Sequence, residues 1–551
     1  MIAFFDLEVT NKKGIINDIG CVLENGQEFH AASIHEFLKF VKKADFYCGH
    51  NIIQHDIFFF NKQSIKKINP AKGIDTLLLS ALLYPKKQYH HLIKDDQLST
   101  TIFNDPLNDA KNAKRLYETE CNAFSYLDPL VKDIYYKLLK NIDGFSAFFD
   151  VQNYVARKIN LESEIKTHFS GLICENANLT MLIEKHPVEL AFCLALINAK
   201  EDNEETQSIF PSWIIYNYPK VEDIMFILRS KPCEKGCDYC NAHLIAKDSL
   251  YSYFGYKEFK KFNDVPLQQK AVESALKNES LLAVFPTGGG KSLTYQLPAL
   301  MSGRNARGLT VVISPLQSLM KDQVDNLESK HITSSATING LLDPIEKAKA
   351  IERVQDGSVS ILYISPESLR SRTIERLLLG RHVVRFVIDE AHCFSTWGQD
   401  FRVDYLYIGD FIKNIQETKK QENPIPVSCF TATAKQQVIE DILTYFNKKL
   451  GLNMKLFTTN SARENLEYKV INIPENHDRY LDLRRIIDQE DAPTIVYASR
   501  HKAVEQVCNR LIQDKYSAAF FHGGMDKEEK IDAQNKFING EVQIMVATNA
   551  F

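Results

Sequence analysis

Leu281 to Leu297 read LLAVFPTGGGKSLTYQL. The apolar run Leu281-Leu282-Ala283-Val284-Phe285 has the length and composition of a buried strand. It breaks into Pro286-Thr287-Gly288-Gly289-Gly290, and Lys291-Ser292 opens a helical pattern. A strand, a glycine turn and a helix N-terminus make a phosphate cradle. Glycines let the backbone wrap an anion, and successive N–H groups point at it. Thr287 and the three glycines would line the cradle, Lys291 would reach the β- and γ-phosphates of ATP, and Ser292 would hold Mg²⁺. The strict pattern G-x-x-x-x-G-K-[ST] asks for glycine where this chain has Phe285.

Other motifs lie around this loop in a fixed order. Before it, Pro266-Leu267-Gln268-Gln269 starts a helix, and the Gln268 amide offers adenine one donor and one acceptor. After it come the β-branched run Thr310–Ser314, the run Ile361–Ile364, and Val383–Ile388 ending in Asp389-Glu390-Ala391-His392. Carboxylates at the C-terminal end of a parallel strand face the ligand crevice of such a sheet. Asp389 would complete the Mg²⁺ site, and Glu390 would orient the attacking water. The segment from Ala391 to Arg402 is rich in aromatics, with His392, Phe394, Trp397, Phe401 and Arg402. Exposed rings there would stack on bases, and Arg402 would pair with a phosphate. Cys429-Phe430-Thr431-Ala432-Thr433-Ala434 closes the set.

These motifs, in this order, resemble the RecQ family of superfamily 2 DNA helicases. The resemblance implies two RecA-like lobes, at 250–457 and from 458 to the end, ATP and Mg²⁺ as cofactors, and single-stranded and forked duplex DNA as partners. It implies 3′–5′ polarity and a role in DNA repair and recombination. Helicase-type loops commonly lack the first glycine, which accounts for Phe285. Tyr256 and Lys260 would join Gln268 at adenine, although the family places that Gln closer to the basic residue than the eight positions found here. The aromatic segment would couple strand binding to hydrolysis. By this resemblance the sequence stops inside the second lobe, before the family's arginine finger, so nucleotide binding is expected with weak turnover.

The first 120 residues carry a different chemistry. Ile2-Ala3-Phe4-Phe5 is a strand pattern, and Asp6-x-Glu8 follows. Alternation puts both carboxylates on one face, where divalent ions would relieve their repulsion. Asp56 leads an apolar helix, and Asp109 opens another. Together these resemble the DEDD (DnaQ-like) 3′–5′ exonucleases, a ribonuclease H-like fold. Asp6, Glu8, Asp56 and Asp109 would then hold two Mg²⁺ or Mn²⁺ ions, and Asp75 would be structural. The family's general base precedes the fourth carboxylate. Asn104 stands there, and an amide cannot take a proton.

Residues 121–249 read as a helical region. Within it, Cys233, Cys237 and Cys240 have C-x3-C-x2-C spacing, with Gly236 for a tight turn. The fourth ligand is His243 or the distant Cys174. His243 would suit zinc, and Cys174 would suit zinc or an iron–sulfur cluster.

The expected fold class is therefore α/β: an exonuclease-like fold, a helical region with a cysteine knuckle, then P-loop lobes, the second incomplete. The net charge of −4 requires any basic DNA-binding surface to be local. The 11 cysteines, with no signal-peptide pattern and no membrane-length apolar run, point to an intracellular, cytoplasmic protein with no membrane partner and reduced thiols. A rival expectation is a DNA-binding, ATP-dependent scaffold or switch with an inert nuclease fold.

Overall fold

The computed structural model describes residues 1–10, 14–87, 90, 105–199, 209–340, 342–395, 402–421, 423–432, 435–459, 466–473, 478–549 and 551. The chain divides into two compact units, Met1–Ala462 and Arg463–Phe551. Among the described residues the strands form three sheets.

The first sheet holds β1 (Ile2–Val9), β2 (Ile16–Leu23), β3 (Glu28–His30), β4 (Phe46–Gly49) and β5 (Gly73–Asp75), in the order β3-β2-β1-β4-β5. β1 runs antiparallel to β2 and parallel to β4. Both faces of β1 are covered, so its first residues are apolar without a polar alternate. Ala3, Phe5 and Leu7 pack with Phe37, Ile57 and Phe60. Ile2 and Phe4 face the opposite side, toward Tyr117 and Phe124 of the helix Pro106–Tyr126. Asp6 and Glu8 continue this second face to the C-terminal end of the strand.

The expected boundary at residue 120 falls within a helix. The helix Pro106–Tyr126 runs through it. The core that holds Phe4 and Tyr117 continues without a break into Phe148, Leu190 and Leu228 of the middle helices. The helix Pro187–Asn198 is buried nearly all round, which is why it shows no amphipathic period.

The second sheet contains β6 (Leu281–Val284), β7 (Leu309–Ile313), β8 (Ser335–Ile338), β9 (Ile361–Ile364), β10 (Val383–Ile388), β11 (Val427–Thr431) and β12 (Lys455–Thr458). It is wholly parallel, in the order β12-β6-β11-β10-β7-β9-β8. Helices cover both faces, so β6, β7 and β9 are buried at every residue. The second lobe had been expected from near Thr458. Instead Thr458 ends β12, which pairs with β6, and the second unit starts at Arg463.

That second unit has β13 (Thr494–Tyr497), β14 (Ala518–Phe521) and β15 (Ile544–Ala547), parallel in the order β13-β15-β14. No described helix is long and apolar enough to cross a membrane.

Candidate functional site

The order of the parallel sheet places β6, β11 and β10 side by side, so the segments after their C-terminal ends are neighbours. After β6, Phe285 is fully buried and its ring stacks on Phe262 at 4.9 Å, so core packing occupies the position of the strict motif's first glycine. Gly288 and Gly290 take φ of 75° and 80°, a conformation that side chains disfavour. Gly290 caps the helix Lys291–Ala306.

Gln268 and Lys260 fasten this loop. The Gln268 side chain accepts from Lys260 N at 2.7 Å and donates to Gly290 O at 3.0 Å. Lys260 Nζ donates to Gly288 O at 2.7 Å. The eight-position spacing is absorbed locally. Phe262 and Val265 bond each other's backbone across Asn263 and Asp264, which have φ of 48° and 61°. Two left-handed central residues make a tight hairpin, and it returns the chain so that Gln268 meets Lys260. The Gln268 amide therefore grips the phosphate loop with the donor and acceptor that the sequence assigns to adenine. Tyr256 is half exposed, with Lys330 Nζ 5.7 Å from its ring centroid.

Opposite the loop, Asp389 follows β10 and is buried. Burial, then the Glu390 charge, pushes its carboxyl up to about 6, against the pull of Lys291. Ser292 with Asp389 would hold Mg²⁺, which would supply positive charge at the phosphates and would favour the ionised carboxylate. Glu390 takes φ of 47°. Its carboxylate lies 3.7 Å from Lys291 Nζ and 3.2 Å from His392 Nδ1. Burial works to raise the Glu390 carboxyl, but His392 and Lys291 outweigh it and hold the group below its ordinary range. His392 also meets Thr431 Oγ1 at 3.1 Å, joining the ends of β10 and β11. Hydrogen bonding to Cys393 and Glu390 raises the His392 imidazole.

The aromatic segment is described only at its ends. Trp397, Asp400 and Phe401 lie outside the described residues, as do Thr433 and Ala434. Phe394 is a correction. Its ring packs on Tyr405, Tyr445 and Phe446 at 4.8–5.3 Å and is buried, so it is core and cannot stack on a base. Arg402 Nη1 donates to Pro315 O at 3.1 Å, tying the segment to the residues after β7. Tyr405, which sequence reasoning missed, donates to Asp389 O at 3.0 Å. Its signal was only its place a few residues after the aromatic run.

The N-terminal carboxylates come from three elements. Asp6 and Glu8 stand on β1. Asp56 is fully buried, and its Oδ1 accepts from Leu7 N at 2.9 Å and meets His55 Nδ1 at 3.1 Å. Its Oδ2 is buried with no hydrogen-bond partner among the described residues. Burial raises the Asp56 carboxyl, while His55 and the Leu7 N–H oppose the shift. Asp75 holds the approach to Asp56, accepting from Asn51 N, Ile53 N and Leu77 N at 3.0–3.2 Å. Asp109 sits in the first turn of the helix Pro106–Tyr126. Gly20 pairs with Asp6, and a Cβ on it would stand 2.0 Å from Leu107 N. Only glycine there lets this helix turn settle on the sheet beside Asp6. His30 Nε2, missed in the sequence, lies 2.7 Å from Asp18 Oδ2 on the same side. Asn104 lies outside the described residues.

Among the described residues, one group of three or more metal-ligating side chains has all its ligand atoms within 4.8 Å of each other: Cys174, Cys233, Cys237 and Cys240. The carboxylates are more widely spaced, as ligands shared between two ions can be. His243 is the second correction. It packs its ring on Tyr239 at 4.8 Å and stands outside the thiol group.

Residues 265–442 match the DEAD/DEAH box helicase family and residues 478–551 the helicase conserved C-terminal domain. The ATP-dependent DNA helicase RecQ of Bacillus subtilis (strain 168) is 38% identical over 307 residues, 56% of this chain and 48% of that protein. Residues 265–442 and 478–551 are thus similar to helicase domains. RecQ of Haemophilus influenzae is 34% identical over 55% of this chain and 45% of that protein. The helicase SGS1 of Saccharomyces cerevisiae is 34% identical over 52% of this chain and 19% of that protein. The chain thus spans about half the length, or less, of these curated relatives. Among solved structures, the DEAD-box helicase Mss116 bound to ssRNA and UDP-BeF aligns over 57% of this chain and 66% of that one, at 18% identity and a TM-score of 0.43. The carboxylate and cysteine groups precede the matched segments.

Proposed function

We propose that this chain is an ATP-dependent 3′–5′ DNA helicase of RecQ type with an appended metal-dependent exonuclease domain, acting in DNA repair and recombination. The observation that carries the motor reading is the meeting of Lys291, Asp389 and Glu390 at the ends of β6 and β10, beside a glycine loop held by Gln268 and Lys260. This set can receive a nucleoside triphosphate. Lys291 and the loop N–H groups would bind phosphate, Ser292 and Asp389 would hold Mg²⁺, and Glu390 would orient water. DNA is the proposed partner, as the relatives' names say of them. Arg402 supplies a bond between the aromatic segment and the residues after β7, a route by which strand occupancy reaches the sheet edge.

The nuclease reading rests on Asp56, whose buried Oδ2 has no hydrogen-bond partner among the described residues and whose Oδ1 accepts from Leu7 N, between Asp6 and Glu8 on β1. These carboxylates with Asp109 would hold Mg²⁺ or Mn²⁺, which would activate water for phosphodiester cleavage. The four cysteines would hold a metal through thiolates.

The deciding experiment compares the chain with Lys291→Ala for nucleotide binding, DNA-stimulated ATP hydrolysis and forked-duplex unwinding. The parent is expected to hydrolyse ATP faster with single-stranded DNA, and the variant to lose about 100-fold or more. ATP turnover indifferent to both DNA and Lys291 would overturn the motor reading.

A further inference from the structure

The cysteine group lies far from the glycine loop in sequence, and among the described residues it is the one group of three or more potential metal ligands drawn this close together. Cys174 follows the helix Leu161–His168, and its N–H donates to Leu228 O at 2.7 Å. Cys233, Cys237 and Cys240 come from a turn through Gly236, φ 73°, and the first residues of the helix Asp238–His243. All four are free thiols, and Cys174, Cys237 and Cys240 are buried. Four thiols packed together without a disulfide turn polarizable sulfurs toward one another, an arrangement that suits a shared cation.

The spacing tells how many metal atoms fit. Thiolates about 2.3 Å from one tetrahedral ion stand about 3.8 Å from each other. Here Cys237 Sγ lies 4.0 Å from Cys174 Sγ, and no pair exceeds 4.8 Å. A four-iron cluster puts each thiolate on a different iron, with sulfides between, and spreads the sulfurs beyond such a cage. The surroundings suit bound thiolates. Asn176 Nδ2 donates to Cys233 Sγ at 3.3 Å and to Gly236 O at 3.1 Å, and Cys240 N donates to Cys237 Sγ at 3.5 Å. Amide donors of this kind orient ligands and spread their charge.

We infer that Cys174, Cys233, Cys237 and Cys240 bind one tetrahedral zinc ion in a closed, structural site. This deepens the thiolate-metal reading above and rests on it. With four protein ligands no position remains for water or substrate, so the ion is a clamp. It ties the segment after His168 to the helix Asp238–His243, across all the helices between. Asn305, near the end of the phosphate-loop helix Lys291–Ala306, donates to His243 O at 3.4 Å, so the clamped element touches the helix that begins at the nucleotide site. Nothing of the clamp takes part in the chemistry at Lys291.

The test is elemental analysis of the purified full chain for zinc, iron and acid-labile sulfide, with free-thiol titration alongside. About one zinc per chain, without iron, is expected. Cys174→Ser and Cys240→Ser should lose the zinc, and His243→Ala should keep it. Should the serine variants fail to fold, the parent reconstituted with cobalt(II) should show the visible bands of a tetrahedral thiolate site. Iron with sulfide would overturn the single-ion inference and leave the thiolate-metal reading standing. Loss of zinc in His243→Ala would overturn the ligand set. No metal, or four cysteines oxidised to disulfides, would overturn both the inference and the reading beneath it.

Discussion

Lys419 Nζ lies 2.6 Å from Glu222 Oε1, with both side chains almost wholly buried. Lys419 Nζ also donates to Arg381 O at 2.8 Å, and Gln421 Nε2 donates to the other Glu222 oxygen at 2.6 Å. The pair joins the helix Lys220–Arg229 of the middle region to the P-loop sheet's surroundings. A buried pair adds little over a packed apolar one, but breaking it strands a charge. Glu222→Ala should cost about 3–5 kcal/mol, read by denaturant unfolding of the first unit. The double variant Glu222→Leu with Lys419→Met should recover most of it. A single-variant cost under about 1 kcal/mol would mean that water reaches the pair.

Gly290 and Gly288 give a controlled contrast. Both have positive φ, but a Cβ on Gly290 would stand 2.3 Å from Gln268 Nε2, and one on Gly288 meets nothing within 4 Å. Both alanine variants strain the backbone. Only Gly290→Ala also displaces the amide that grips the loop. Nucleotide affinity should therefore fall further in Gly290→Ala, and equal losses in a binding titration would count against the Gln268 grip.

Asp389 predicts a pH dependence with opposite signs for stability and turnover. Its carboxyl value rises from 3.8 to about 6 through burial first and Glu390 second. Ionising it costs the folded state. The cost is absent below the unfolded value, grows as pH rises, and is complete above about 6, where it reaches about 3 kcal/mol. Asp389→Asn should gain up to that amount of stability at neutral pH and little near about pH 4, while abolishing ATP turnover. Turnover of the parent at subsaturating Mg²⁺ should decline as pH falls through about 6, because protonation of Asp389 competes with the ion. Thermal melts and initial rates across this range check both signs.

At the N-terminal sheet, Asp56→Asn keeps an acceptor for Leu7 N and removes the charge. The variant should stay folded and lose Mn²⁺-supported digestion of single-stranded DNA by about 100-fold or more. Equal digestion by parent and variant would detach Asp56 from the reaction.

Much of this was legible in the sequence because it rests on local rules. A buried strand, a glycine turn and a helix start are contiguous, so Leu281–Leu297 disclosed the strand, the glycine loop and the helix that follows. Strand alternation alone put Asp6 and Glu8 on one face. Other features were closed to a linear reading. Phe394 looked like its aromatic neighbours, and only the packing of Tyr405 and Phe446 around it shows it is core. The length between Lys260 and Gln268 looked like a departure until a hairpin of two left-handed residues was seen to absorb it.

The chain's own order of residues thus determined the elements, the glycine loop, the acidic strand ends and three of the four thiols, because each depends on neighbours a few positions apart. Tertiary structure alone decided that Cys174 and not His243 joins the thiols, that the first 120 residues share a core with the helices after them, and that Gln268 holds the loop. Those choices depend on contacts between distant segments, where burial, the fit of rings and the reach of a few hydrogen bonds select among partners that sequence spacing leaves equivalent.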